Sequence, residues 1–306
     1  MPLRRTRKRR RKRKKKRRTR RRPSKNFKTE RCSPRGDGET LEYSCYTKEA
    51  LHKLKEIWNA RHPDVKIHTN NTRTIWEKLR TYMSSSCNKE SCWLKHKCLK
   101  EGVDKSIINN TFAPLQPISW KRKPSEWLSS VDIQNVMKQF EKAYRCFEFI
   151  GPSPIDFDEH KLYGECVWEE LCKFNLLETI KRGKSKIGII FNTDKHDKPG
   201  EHWIGMFINV KKRQIIYMDS YGDEPPKEVN ILAKRIQDQS KKFGPMYDYH
   251  IVEMRHQYSN SECGMYCLYF IIEMLKDNKD WKYFNNHKIP DKKMKKLRKI
   301  YFNVNN

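Results

Sequence analysis

Cys263 follows a polar run, Gln257-Tyr-Ser-Asn-Ser-Glu262, and opens a stretch to Leu275 that is apolar on nearly every side. A run apolar all round predicts a buried helix. A thiol in its first turn faces backbone N–H groups that lack helical partners and the positive end of the helix dipole. Both favour the thiolate, which is the nucleophilic form. Gly264, with no Cβ, leaves room for a substrate backbone beside the sulfur. For this position taken alone, a buried structural cysteine is the plainer alternative.

A cysteine nucleophile needs a base, and the base needs a group to orient it. His202 begins the strand-like run Trp203–Val210, and Asp219 ends the run Gln214–Asp219. Lys211-Lys212-Arg213 between them reads as a hairpin turn, which makes His202 and Asp219 approximate cross-strand neighbours. A carboxylate beside an imidazole fixes its tautomer and stabilises the imidazolium. Gln257, six residues before Cys263 at the end of a strand, can donate its side-chain amide to a developing oxyanion alongside the Cys263 N–H. Asp223 and His256 are nearby competitors whose neighbours fit less well.

The scaffold that positions these groups reads as α+β. Leu51, Leu54 and Trp58 share a helix face, and Asn70 or Asn71 caps a second helix bearing Ile75, Leu79 and Met83. Three prolines within Pro114–Pro124 disfavour both helix and central strand and mark a boundary. Beyond it, Ile133, Val136, Met137 and Phe140 define an amphipathic helix, Gly151-Pro-Ser-Pro154 a turn, and Val167–Leu176 another helix. Ile187–Phe191, the hairpin and Tyr249–Met254 are strands. Pro225-Pro226 opens a helix with Val229, Leu232, Ala233 and Ile236 on one face. The chain thus divides into a disordered polybasic tail (1–30), a helical arm (31–115), a core with a central, mainly antiparallel sheet and the buried Cys263 helix (116–285), and a basic C-terminal segment (286–306).

The net charge of +30 is unevenly spread. Residues 1–22 hold 17 of the 67 Lys and Arg and no acid, leaving 50 bases against 37 acids on the rest. Such a run repels itself and buries nothing, so it is expected to be disordered, and it lacks the apolar segment of a signal peptide. Residues 4–22 suit non-specific nucleic-acid binding through counterion release, with a nuclear import signal as the competing reading. No apolar run approaches the roughly 18 residues of a membrane span. The ten cysteines, at positions 32, 45, 87, 92, 98, 146, 166, 172, 263 and 267, read as mostly free thiols in a reducing, intracellular setting. Cys87-x4-Cys92-x3-His96-x-Cys98 departs from common zinc spacings and reads as half-buried helical thiols. No metal or cofactor is expected. Lys292–Lys299 reads as a solvated helix face.

The order His202-Trp203, Asp219-Ser220, Gln257-x5-Cys263-Gly264 resembles the adenain/SUMO-protease superfamily of cysteine proteases. Papain-like enzymes place the cysteine before the histidine. Trp127-Leu-Ser-Ser-Val-Asp-Ile133 resembles that family's Trp-Leu-Asn-Asp-x-x-Ile segment, with Ser129-Ser130 where cellular members often carry Asn-Asp. The helical extension, Gly151–Phe157 and the compact core are most similar to the polyprotein-processing proteases of large DNA viruses such as African swine fever virus. The resemblance covers about residues 120–280. It implies Cys263 as nucleophile, His202 as base, Asp219 as its orienting partner and Gln257 in the oxyanion hole. It also implies that Trp127 and Trp203 flank a channel for a Gly-Gly strand, since two close indoles leave no room for a Cβ; hydrophobic packing is the alternative for both.

The implied function is a cysteine endopeptidase that cleaves structural polyproteins after Gly-Gly-X during virion maturation, in host cytoplasm and virion. The same four residues would serve an isopeptidase acting on ubiquitin or SUMO conjugates. A reading of another class is a nucleic-acid-binding virion protein with a degenerate protease fold, which the tail fits and the intact His202/Asp219/Cys263 set opposes.

Overall fold

The computed structural model describes residues 27–36, 41–104, 107 and 110–304. The basic run at 1–22 lies outside the described residues. From Phe27 onward, the first segment builds its own small core. Thr47 caps helix α1 (Lys48–Arg61) by accepting from the Ala50 N–H, and Asn71 caps α2 (Thr72–Met83) by accepting from Thr74. Their apolar faces, Leu51, Leu54 and Trp58 against Ile75, Leu79 and Met83, close together with Tyr46 and Trp93. Two single turns follow, α3 (Glu90–Trp93) and α4 (Lys97–Lys100).

The proline-rich stretch is laced to the chain's far end. Leu115 forms a parallel bridge with Asn303, whose side chain also accepts from Arg31 N and donates to the Ala113 carbonyl. A 3-10 turn, Ile118–Lys121, then buries Trp120. Helix α5 (Ser130–Ala143) starts at a capping box in which Ser129 and Asp132 satisfy each other's backbone N–H groups.

Five strands follow: β1 (Phe147–Pro154), β2 (Lys186–Asn192), β3 (Trp203–Asn209), β4 (Gln214–Met218) and β5 (Asp248–Val252), in that spatial order. Between β1 and β2 come the short helices α6 (Glu169–Cys172) and α7 (Leu176–Lys181); α8 (Lys227–Ser240) joins β4 to β5. The chain ends with α9 (Cys263–Leu275), α10 (Trp281–Asn286) and α11 (Asp291–Tyr301). Alternation on β3 sorts its side chains between two layers. Trp203 and Phe207 face α5 and α9, while Ile204, Met206 and Ile208 face α7 and α8. Helix α9 is buried at every position but Glu273. It therefore behaves as the centre of one layer rather than as a surface helix.

The α+β class holds, with four corrections of detail. The central β2–β3–β4 pairings are antiparallel, but β1–β2 and β4–β5 are parallel, because α8 and the 155–185 connection each return the chain in the same direction. Gly151-Pro-Ser-Pro154 is not a turn: β1 runs through it with a register irregularity between Ile150 and Ser153. Gly151 permits this, having φ +106° in a place where a Cβ would meet the Ile190 carbonyl at 2.7 Å. The expected helix over Val167–Leu176 is broken into α6 and the start of α7, with Asn175 capping the latter. Finally, the cysteines are not mostly free. Cys32–Cys45, Cys87–Cys92 and Cys166–Cys172 are disulfides, and Cys146, Cys263 and Cys267 are free. All three pairs lie in irregular or single-turn segments, where side-chain patterning carries no information on which sulfurs meet.

Candidate active site

Cys263 is the first residue of α9 and is 2 % exposed. The residue before it, Glu262, does not cap the helix with its side chain. Its carboxylate turns inward to Arg298 Nε at 2.8 Å, and the guanidinium lies 4.4 Å from the Trp120 ring centroid. The first-turn N–H groups are therefore left for the Cys263 side of the helix. Arg298, expected on a solvated face, is instead buried, because it neutralises this interior carboxylate. Gly264 is close-packed, but against protein: a Cβ there would meet Leu128 at 3.1 Å and Trp203 at 3.2 Å. The expected space for substrate at Gly264 is thus filled by the wall of the site itself.

His202 lies one residue before β3, and its Nε2 is 2.7 Å from Asp219 Oδ1. Asp219 is 3 % exposed and also accepts from the Tyr221 N–H at 2.9 Å. Burial pulls the imidazole pKa down, but its hydrogen bonds to Asp219 and to Cys263 carry it up to about 10. With Nε2 committed to Asp219, Nδ1 is the ring nitrogen left for the thiol. The imidazole is thus hydrogen-bonded to the carboxylate on one side and lies close enough to Cys263 for the sulfur to act on its charge. An imidazole so placed can take up a proton from the thiol and pass it onward.

Gln257 is fully buried and tied to the end of β4. Its N–H donates to the Ser220 carbonyl, and its Oε1 accepts from Ser220 Oγ at 2.8 Å. Its Nε2 donates to Tyr221 Oη at 3.2 Å and to the Ser259 carbonyl. The amide expected to face an oxyanion is already hydrogen-bonded on both hydrogens.

Trp127 and Trp203 line one groove of about 720 Å³, with Ser153, Asn192, His196 and Trp168 on its other walls. Trp127 is 43 % exposed at its rim, whereas Trp203 is buried and donates its indole N–H to the Leu128 carbonyl. Asp223 is exposed and Glu224 beside it likewise, so Asp223 has no place in the site. His256 is a core residue: its Nδ1 accepts from Ile289 N at 3.2 Å, and burial pushes its pKa down to about 4.

Tyr221 was missed by sequence reasoning. Its ring stacks on His202 with 4.9 Å between centroids. The hairpin pattern contains the signal, since extending the register past Gly205 and Met218 sets Tyr221 opposite His202. One cluster of metal-type donors occurs among the described residues, His160 with Cys166 and Cys172, their donor atoms within 4.8 Å. Its two sulfurs are joined to each other. Cys87 is likewise bonded to Cys92 rather than offered to a metal.

A sheet that presents an imidazole and its carboxylate to a sulfur at the head of a buried helix defines a cysteine-type peptidase. Residues 130–306 match the model of the Ulp1 protease family, C-terminal catalytic domain. The chain belongs to that family. A thiol protease of Acanthamoeba polyphaga mimivirus is 36 % identical over 154 residues, which is 50 % of this chain and 49 % of that protein. The chain thus spans about half the length of that relative. A cysteine protease of African swine fever virus is 26 % identical over 252 residues, covering 76 % of this chain and 90 % of the viral one. The crystal structure of the African swine fever virus protease superposes with a TM-score of 0.64 at 22 % identity, over 90 % of this chain and 96 % of that one. That likeness extends the shared fold through the arm as well as the core. No helix among the described residues is long and apolar enough to cross a membrane.

Proposed function

We propose that this chain is a viral cysteine endopeptidase that processes structural polyprotein precursors, with Cys263 as nucleophile and His202 as base and acid. Asp219 orients His202, and Gln257 with backbone N–H groups of the α9 first turn receives the oxyanion. The observation that carries this reading is the His202–Asp219 hydrogen bond at 2.7 Å, near Cys263 at the head of α9. In the reaction, the thiolate attacks the carbonyl carbon of the scissile bond. His202 protonates the departing amine, and water then hydrolyses the thioester.

The groove that Trp127 and Trp203 both line fits cleavage after small residues, Gly-Gly-X above all, a preference in which paired indoles exclude a Cβ. The viral polyprotein assignment is supported by relatives from African swine fever virus and mimivirus that are named as cysteine and thiol proteases. Others from African swine fever virus are named SUMO-1 cysteine proteases, which favours an isopeptidase as the second reading. Residues 4–22 fit a non-specific nucleic-acid tether that holds the enzyme near packaged substrates in cytoplasm or virion.

The test is cleavage of a Gly-Gly-Ala peptide alongside a panel of SUMO and ubiquitin conjugates. Peptide cleavage without deconjugation supports the endopeptidase; the reverse pattern supports the isopeptidase. Neither activity would leave the degenerate-fold reading. Deleting residues 1–22 should weaken DNA binding and spare peptide cleavage.

A further inference from the structure

We propose that Tyr221 is a positioning residue that couples the proton-transfer arm of the site to its oxyanion arm. The inference rests on the catalytic roles proposed above for His202 and Gln257. Tyr221 touches both. Its ring stacks on the His202 imidazole, 4.9 Å between centroids and 21° from parallel. Its backbone N–H donates to the same Asp219 oxygen, Oδ1, that receives His202 Nε2. One residue therefore covers a face of the imidazole and helps fix the carboxylate that orients it.

The phenol reaches the other arm. Tyr221 Oη accepts from Gln257 Nε2 at 3.2 Å and donates to the Ser259 carbonyl at 3.4 Å. Gln257 Nε2 has two hydrogens, and the second goes to the same Ser259 carbonyl. An amide committed on both hydrogens meets an oxyanion only by exchanging one bond. The bond to Tyr221 is the longer, and its release costs the phenol nothing else, because Oη keeps its own bond to Ser259. Tyr221 Oη thus acts as a placeholder: it holds the Gln257 N–H in register while the site is empty and yields that hydrogen when charge develops on the substrate. Such preorganisation is what makes an oxyanion donor effective, since little must move as the charge appears.

Arg255 supports the arrangement from outside the reacting groups. Its guanidinium lies 5.4 Å from the Tyr221 ring centroid, and its Nε donates to the Gln257 carbonyl at 3.1 Å. Arg255 thereby ties the Tyr221 ring, in the turn after β4, to Gln257 on the loop that leads into Cys263.

The test is steady-state cleavage of a Gly-Gly-Ala peptide by the full chain, with Cys263 labelling by a Gly-Gly electrophile run in parallel. Tyr221→Phe keeps the stack and removes the hydroxyl. It is expected to lower kcat about tenfold at unchanged KM, with an unchanged pH profile. In a Gln257→Ala background the same substitution is expected to add no further loss, because its target is gone. Tyr221→Leu also removes the stack, so it is expected to narrow the pH profile as water reaches His202. A thermal melt of each variant separates these effects from loss of fold. Wild-type kcat in Tyr221→Phe, or a full tenfold loss persisting without Gln257, would overturn the proposal. If the wild-type protein itself is not labelled at Cys263, the catalytic reading fails instead, which keeps the two failures distinct.

Discussion

His202 and Asp219 are diagonal rather than directly opposite neighbours across the β3–β4 hairpin. The registered pairs end at Gly205 and Met218, and their continuation sets His202 against Tyr221, two residues beyond Asp219. The 2.7 Å bond from Nε2 to Asp219 Oδ1 is therefore made where the strands splay, just past the last ladder pair. Both residues leave the sheet there, and their side chains turn toward the head of α9. This explains how a strand-end histidine can contact a buried carboxylate and a helix-borne sulfur together.

That geometry sets a pH dependence. The imidazole pKa is pushed up to about 10 in the folded chain, above its ordinary value near 6.5. The stabilisation from this ion pair is thus fully present below about pH 6.5 and is lost as pH rises through about 10. Asp219→Asn should move the alkaline limb of the pH–rate profile downward by more than one unit and lower kcat/KM by about 100-fold or more, in keeping with losing the orienting carboxylate of a triad. Iodoacetamide labelling of Cys263 against pH checks the same shift without a substrate.

The buried Glu262–Arg298 pair stands next to Cys263, which follows Glu262 in the chain. Arg298→Ala should destabilise the core by about 3–5 kcal/mol, because Glu262 is left unpaired in the interior. Glu262→Gln combined with Arg298→Met should recover much of that loss. Urea unfolding of the single and double variants is the measurement.

His256 makes the core acid-sensitive. Its folded pKa of about 4 lies below the unfolded value near 6.5, so the unfolded chain binds the extra proton between them. Stability should fall as pH drops from about 6.5 toward 4, by up to about 3 kcal/mol at 1.4 kcal/mol per unit. His256→Leu should flatten that slope in melts between pH 7 and 4.5, at a constant cost from the lost Ile289 bond.

The cross-links are open to direct mapping. Non-reducing peptide mapping should recover Cys32–Cys45, Cys87–Cys92 and Cys166–Cys172, while Cys146, Cys263 and Cys267 take up alkylating reagent after unfolding. Reduction of the Cys32–Cys45 bridge, whose cysteines lie 13 residues apart, should cost the arm about 3 kcal/mol.

What the sequence made legible was periodic. The limits of the Cys263–Leu275 helix, a cap at Asn70 or Asn71 (it is Asn71), the β3–β4 hairpin and the helix after Pro226 all follow from apolar spacing and cap chemistry. The juxtaposition of His202 with Asp219 followed from the hairpin turn. Features set by long-range contact were not legible. Gly151-Pro-Ser-Pro154 has turn chemistry, yet pairing with β2 draws it into a strand. Arg298 sits in a lysine-rich run, and only the buried Glu262, 36 residues earlier, makes it an interior residue. Which sulfurs pair depends on the folded path of irregular segments. Gln257 lies not at a strand end, as expected, but in the loop five residues past β5, where alternation does not apply and its engagement with Tyr221 and Ser259 is set by the loop's path.

The most direct test of the central claim is labelling of the full chain with a Gly-Gly peptide bearing a thiol-reactive electrophile, followed by peptide mapping. The catalytic reading predicts a single adduct on Cys263, with the rate falling at least 100-fold in His202→Ala. Equal modification of Cys146 or Cys267, or a Cys263 rate indifferent to His202, would contradict it.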